Sequence, residues 1–452
     1  MRRRGPRTPG VDPALRHAIR NRHRSGAAGL AQIQPASTGS GNFAHTKLRL
    51  KGDKPFFNDW ESFVVDQQRE KLYSYGGVLP HDDSNTPTRD FHCLDLKTME
   101  WQNLTDSLRF RPRTYVSDPF LKDVPQFEFR QLPALIEPAI ALISVGDGTF
   151  LFLFGGHDSQ NPTSDLIAID LDLSTWWFVD VQGTPISPRM AACMVVISNR
   201  LFIFGGRTQF DDNSPAIRTY SIAEYNPQTR WTWTVSDGPL PPDLPLLGYN
   251  IQATPVYGGQ KILLTQGRVE NEKPIDMSQE ATIFFHTQNH TFQDARTTMG
   301  DFPRGISWYQ LGSVVAGPRP SAPVSPRRRG RPPKDPSREI PAIPVMPTYN
   351  FPPSVVIVAW VNHSAEDGCL VPEAWQYFLP PTERIRCLNL GDKLWDLNLD
   401  LQSFIAVGNR LLLLGSEEGR EPINVQSGQM LVDKPLPRWD VAIEISSEYL
   451  TE

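Results

Sequence analysis

Apolar positions along this chain come in short runs separated at close intervals by polar turn formers. "KLYSYGG" (residues 71–77), "FLFLFGG" (150–156) and "RLFIFGG" (200–206) are aromatic and aliphatic stretches closed by a glycine pair. Runs this short and this rich in β-formers predict strands, not helices. A polar loop of variable length follows each pair, then a second apolar run: "CLDL", "IAID" or "IAEY". Each of these ends in turn formers ("KTME", "LST", "NPQTR") that suit a hairpin, and then in a tryptophan: Trp101, Trp176 or Trp231. A further strand precedes the glycines, as "AACMVVIS" does in the third copy.

Each part of the repeat has a physical reason. The pairs Gly76-Gly77, Gly155-Gly156 and Gly205-Gly206 permit positive φ and close backbone approach where a Cβ would clash. An indole just past a hairpin can fill the wedge between neighbouring sheets. Four strands in about 45 residues is the period of a propeller blade, so the expected fold class is all-β. Weaker copies follow. "KILLTQGRVE" keeps Gly267, and "TIFFHTQNHTF" puts Phe292 in the tryptophan place. "SWYQLGSVV", "PSVVIVAWVN" and "IRCLNLGDKLW" end at Trp395; "FIAVGNRLLLLGSEEG" and "QMLVDKPLPRW" end at Trp439. This order predicts six blades, with seven as the alternative count. A strand at residues 46–50 ("TKLRL") would help close the ring and remove exposed sheet edges.

The Gly-Gly and Trp pattern resembles kelch repeats, as does Pro-Arg ahead of a first strand at Pro112-Arg113, Pro188-Arg189 and Pro303-Arg304. The resemblance implies a kelch-type β-propeller over residues 43–452, a binding platform whose post-glycine loops gather on one face. Carried over by position, those loops begin at His81, His157, Arg207, Arg268, His363 and Glu417. It therefore implies a protein partner met by His157, Arg207, Arg268 and His363. The two arginines suit an acidic or phosphorylated segment, because a guanidinium bonds carboxylate and phosphate in a bidentate way. The blander expectation is that these side chains are solvated or bonded to nearby acids.

Charge changes this picture at two places. The formal net charge is −5, but up to Arg24 there are eight Arg to one Asp, and from Arg319 to Arg338 seven Lys or Arg to one Asp. The body between is correspondingly more acidic, a poor general surface for nucleic acid. Residues 1–42 read as a disordered basic tail, with a mitochondrial presequence as the other reading. Residues 316–352 read as a disordered Pro/Arg-rich insertion between the first two strands of the fifth blade. Within it, Arg329-Gly330-Arg331-Pro332 resembles an AT-hook core, which lays two arginines along a narrow minor groove. Nuclear import or mere solubility explains the same residues, so DNA contact, an import address and inert filler all stay open.

Catalysis finds little support in the residues. The four Cys are scattered without C-x-x-C pairing, which fits a reducing compartment, cytoplasmic or nuclear. No run of about eighteen apolar residues is present to span a membrane. Some kelch-type propellers resemble copper radical oxidases, but His286 and His290 lie on a strand-turn-strand segment and need not converge. The expectation is a non-catalytic interaction scaffold without metal or cofactor, with a chromatin-associated factor as the first alternative and an oxidase as the second. Nothing in the residues fixes the oligomeric state.

Overall fold

The structure is a computed structural model. It describes residues 45–56, 58, 60–79, 86–111, 130–145, 148–183, 185–198, 200–209, 217–225, 232–240, 251–265, 282–294, 306–314, 354–362, 370–379, 384–388, 400–407, 410–416 and 438–445. They form a β-propeller: six sheets of four or five strands, with one 3₁₀ turn at Tyr257–Gly259. Each sheet is an antiparallel meander. The first runs Ser62–Asp66, Lys71–Tyr75, Phe91–Asp95 and Glu100–Asn103; the second Ala139–Val145, Gly148–Phe154, Leu166–Asp170 and Thr175–Phe178. The third begins with Cys193–Ile197 and Arg200–Phe204, the fourth with Gln252–Val256 and Lys261–Thr265. The fifth begins with Ile306–Val314 and Ser354–Asn362, the last with Asp400–Val407 and Arg410–Ser416. The innermost strands approach one another in sheet order, and Asp400–Val407 comes back against Ser62–Asp66.

Short parallel strands extend the first three sheets. Lys51–Gly52, Arg109–Phe110 and Asp180–Gly183 each leave one sheet and line the outer edge of the next. The last sheet takes its outermost strand from the other end of the chain. His45–Arg49 pairs antiparallel with Val441–Ile445, so the strand expected at residues 46–50 is present and joins the two ends. This also corrects the reading of Trp439. It precedes the third strand of its sheet and does not follow it, because the fourth strand is supplied by residues 45–49 and no further hairpin is needed.

The core lies between sheets. Leu72, Leu94 and Trp101 of the first pack with Ile405, Leu412 and Leu414 of the last. Tyr73, Tyr75 and Phe91 pack with Leu151, Leu153 and Trp176 of the second. Similar clusters join the second to the third sheet, the third to the fourth and the fourth to the fifth. Trp101 and Trp176, 1% and 0% exposed, each turn back onto the preceding sheet from matching registers, opposite Leu94 and Ile169. Phe292 holds that register in the fourth sheet, opposite Phe285. In the third sheet the register position is Val235, opposite Ala223, while Trp231 lies outside the described residues.

The fifth sheet differs from the expected reading. Its third strand is Leu370–Phe378, and "IRCL" belongs to the fourth, Arg384–Leu388, not to the third. Trp395 lies outside the described residues, as do residues 1–44 and the insertion with Arg329, Gly330, Arg331 and Pro332.

Candidate functional site: the glycine-loop face

The first two glycine pairs stand where the chain entering the next sheet crosses them. Gly76 and Gly155 have φ of 74° and 65°, and a Cβ there would collide with the carbonyl oxygens of Leu135 and Arg189. The following glycines bond to the same crossing strands: Gly77 N–H donates to Leu135 O and Gly156 N–H to Arg189 O, both at 2.9 Å. The Pro188-Arg189 pair thus serves two sheets. Its backbone caps the second sheet's glycines, and its side chain, 1% exposed, donates to Gly205 O at 3.0 Å and to Thr219 Oγ1 at 3.3 Å. Burial lowers the Arg189 guanidinium to about 10, against the opposing charge of Asp237. In the first sheet Asn58 does the same work, donating to Gly76 O at 3.0 Å. In the second sheet the corresponding residue is Leu135, four before Ala139, so Pro112-Arg113 is not the matching pair; it and Pro303-Arg304 contain or comprise residues outside the described ones.

Two residues further along, among the described residues, the chain entering the first three sheets adopts left-handed backbone without glycine. Trp60, Glu137 and Ala191 have φ of 59°, 49° and 52°. The strain, about 1–2 kcal/mol each, is offset by a relay of backbone bonds from sheet to sheet. Glu137 N–H donates to Trp60 O at 3.2 Å and Ala191 N–H to Glu137 O at 3.1 Å. These residues stand just ahead of the innermost strands, at the glycine end.

The residues after the glycines meet this relay. His157 bridges Ile136 and Arg207 bridges Met190 through paired backbone bonds. Both are buried, at 8% and 6% exposure. Arg207, expected to meet an acid of a partner, meets Glu137 of its own chain: Nη2 to Oε2 is 3.0 Å, with side chains 7% and 10% exposed. Sequence spacing could not have paired them, since they lie 70 residues apart. Burial lowers the His157 pKa, with Asp158 raising it and Arg207 adding to the lowering. Its Nδ1 accepts from Ser159 N–H at 3.1 Å. Past it, Asp158 Oδ1 accepts from Gln160 and Asn161 N–H, so an exposed loop is held in shape by an Asx turn. Arg268 and His363 lie outside the described residues.

Metal chemistry has no visible seat among the described residues, where no group of three His, Cys, Asp or Glu could hold an ion. His286 Nε2 lies 3.1 Å from Gln293 Oε1, while the His290 ring stacks on Phe285 at 5.9 Å.

Residues 135–315 match the model of the KLHDC2/KLHL20/DRC7 Kelch-repeats domain. The chain carries kelch repeats. Among curated kelch proteins it is similar to the Rab9 effector protein with kelch motifs of Bos taurus, 28% identical over 165 residues, 35% of this chain and 37% of that one. Kelch domain-containing protein 3 of Bos taurus is 26% identical over 144 residues, 31% of this chain and 33% of that one. The Leucine-zipper-like transcriptional regulator 1 homolog of Drosophila melanogaster is 34% identical over 80 residues, 18% and 8% of the two chains. The matched kelch segment therefore spans well under half of each relative.

Proposed function

We propose that this kelch chain is a six-bladed, non-catalytic scaffold that holds a protein partner on its glycine-loop face. The count of six rests on six sheets whose inner strands follow one another back to the first. The function rests on one observation above all. The strained backbone relay and the buried Arg207–Glu137 pair rigidify that end of the molecule beneath exposed loops such as 158–161. Loops on a rigid frame are where binding residues concentrate. The name of the bovine relative, an effector of Rab9, is in keeping with recognition of another protein. Arg268, one residue past Gly267, is the arginine we assign to an acidic or phosphorylated segment, with His157 and Arg207 shaping the floor.

The test is co-purification with mass spectrometry on three proteins: wild type, Asp158→Arg/Gln160→Arg on the loop face, and Leu173→Arg. Leu173, 66% exposed, sits on a hairpin at the opposite strand ends. Partners lost only from the loop-face variant support the reading; partners retained by it, or lost equally from both, refute it.

A second reading, minor-groove contact by residues 329–332, is supported by the motif and by topology. Val314 and Ser354 are paired neighbours, so the insertion leaves and re-enters at one point without interrupting a sheet. A gel shift on A·T-rich duplex at moderate salt would weaken on Arg329→Ala/Arg331→Ala; an unchanged shift ends it.

A further inference from the structure

The chain entering each of the first three sheets carries a different side chain at one matching position. Counted two residues back from the left-handed Trp60, Glu137 and Ala191, these are Asn58, Leu135 and Arg189. In the third sheet the guanidinium of Arg189 serves both Gly205 O and Thr219 Oγ1, with Asp237 as the opposing charge. In the first sheet Asn58, shorter and uncharged, reaches the matching carbonyl of Gly76. An acid stands there in the place of Thr219: Gly76 N–H donates to Asp90 O as Gly205 N–H donates to Thr219 O. The second sheet has an acid in that place too, but Asp165 is exposed to water and the entering residue, Leu135, is buried and apolar. Asp90 is half-buried.

The first sheet is therefore short of donors where the third is not. The Asn58 amide nitrogen has two hydrogens, yet three acceptors lie around it: Gly76 O at 3.0 Å, Thr88 Oγ1 at 3.3 Å and Asp90 Oδ2 at 3.4 Å. The Thr88 hydroxyl gives its own hydrogen to Gly76 O, at 3.1 Å. Asn58 is 7% exposed, and its Oδ1, an acceptor as well, has no hydrogen-bond partner among the described residues. Glu61 adds a second carboxyl within electrostatic range of Asp90, its Oε2 accepting the Trp439 indole N–H at 3.2 Å. Arg89, beside Asp90 in the chain, turns to Asp106 at 3.4 Å. Glu61, Thr88 and Asp90 are half-buried, so solvent reaches the acids while Asn58 lies beneath them.

Given the proposed role of the glycine-loop face, we infer that the first sheet's part of it receives an arginine side chain of the partner, whose guanidinium donates to Asp90 and to Asn58 Oδ1. The fold itself supplies the precedent, since the matching place in the third sheet holds a guanidinium of the chain's own. Arginine suits the place better than lysine, because its planar fork carries five donors and meets several acceptors at once. Hydrogen bonds from that cation to a carboxylate are also stronger than those of the neutral Asn58 amide.

N-acetyl-arginine amide, titrated into the full chain, is the probe, and its citrulline counterpart, neutral and of the same shape, is the control. The arginine compound should shift the amide resonances of Gly76 and Gly77, and the citrulline compound should leave them in place. In Asn58→Arg, which copies the third sheet, the chain's own guanidinium should take the position, so the probe binds about tenfold or more weakly. The melting temperature of that variant should rise by about 1–3 °C, and the rise should vanish when Asp90→Asn is added. Equal shifts by both compounds, full-strength probe binding in Asn58→Arg, or a lowered melting temperature in that variant would each overturn the receptor. Should Asn58→Arg not fold, Asp90→Asn alone decides: weakened probe binding supports the receptor and unchanged binding overturns it. Co-purification separates this from the role of the face. Partners lost from Asp158→Arg/Gln160→Arg but retained by Asp90→Asn leave the face standing and overturn the receptor; partners lost from both support both, and partners retained by both overturn both.

Discussion

Single atoms decide several features of this kelch propeller. Arg207 and Glu137 form a buried pair, and removing one partner strands the other's charge. Arg207→Ala should cost about 3–5 kcal/mol of stability, while Arg207→Met/Glu137→Met should recover most of it. Calorimetry on both variants distinguishes this from a pair with no energetic role, for which the single change would be nearly silent. Two glycines give a second comparison. Gly155 and Gly258 have similar φ, 65° and 62°, but a Cβ at Gly155 would strike the Arg189 carbonyl and one at Gly258 would meet nothing within 4 Å. Gly258→Ala should therefore show only the backbone cost of about 1–2 kcal/mol, and Gly155→Ala clearly more, read as urea midpoints. The glycine pairs were legible because the clash they avoid recurs at fixed spacing. The inward turn of Arg207 was not, because its partner Glu137 lies 70 residues away in the chain.

At the scale of strands and sheets, legibility followed the strength of local pattern. The first two sheets carry the glycine pair and the tryptophan together, and there the expected strands, hairpins and indole positions are found. Phe292 was readable as an indole substitute because any large ring fills that wedge. In the third sheet the matching register falls on Val235, opposite Ala223, while Trp231 lies outside the described residues. The strand Leu370–Phe378 escaped notice because no glycine pair introduces it and Pro372 interrupts its alternation. Closure by His45–Arg49 implies an outcome of its own. Deleting residues 45–49 exposes the backbone edge of Val441–Ile445, which should accelerate exchange there and promote association between copies. Exchange at 441–445 no faster than in the full-length protein would show that the closing strand adds nothing.

For the whole molecule, the contacts that hold the ring lie between sheets and at both ends of the strands. Rigidity comes from apolar layers between sheets, from the backbone relay and the Arg207–Glu137 pair at the glycine end, and from cross-sheet bonds at the hairpin end. There Arg69 bonds Asp172 at 2.8 Å, Arg410 bonds Leu96 O at 2.9 Å and Arg200 bonds Thr287 O at 3.0 Å. The long additions attach where they disturb none of this. Residues 315–353 leave and return through the adjacent positions Val314 and Ser354. Replacing that insertion by a short Gly/Ser turn removes a long loop from the unfolded chain as well as the folded one, and loop length enters closure entropy only logarithmically. The melting temperature should therefore stay the same or rise slightly, and the partners bound at the glycine-loop face should be retained. Any A·T-rich duplex binding should disappear with the deleted arginines. If the partners were lost and the duplex binding kept, the division of labour between a rigid face and a basic appendage would be reversed.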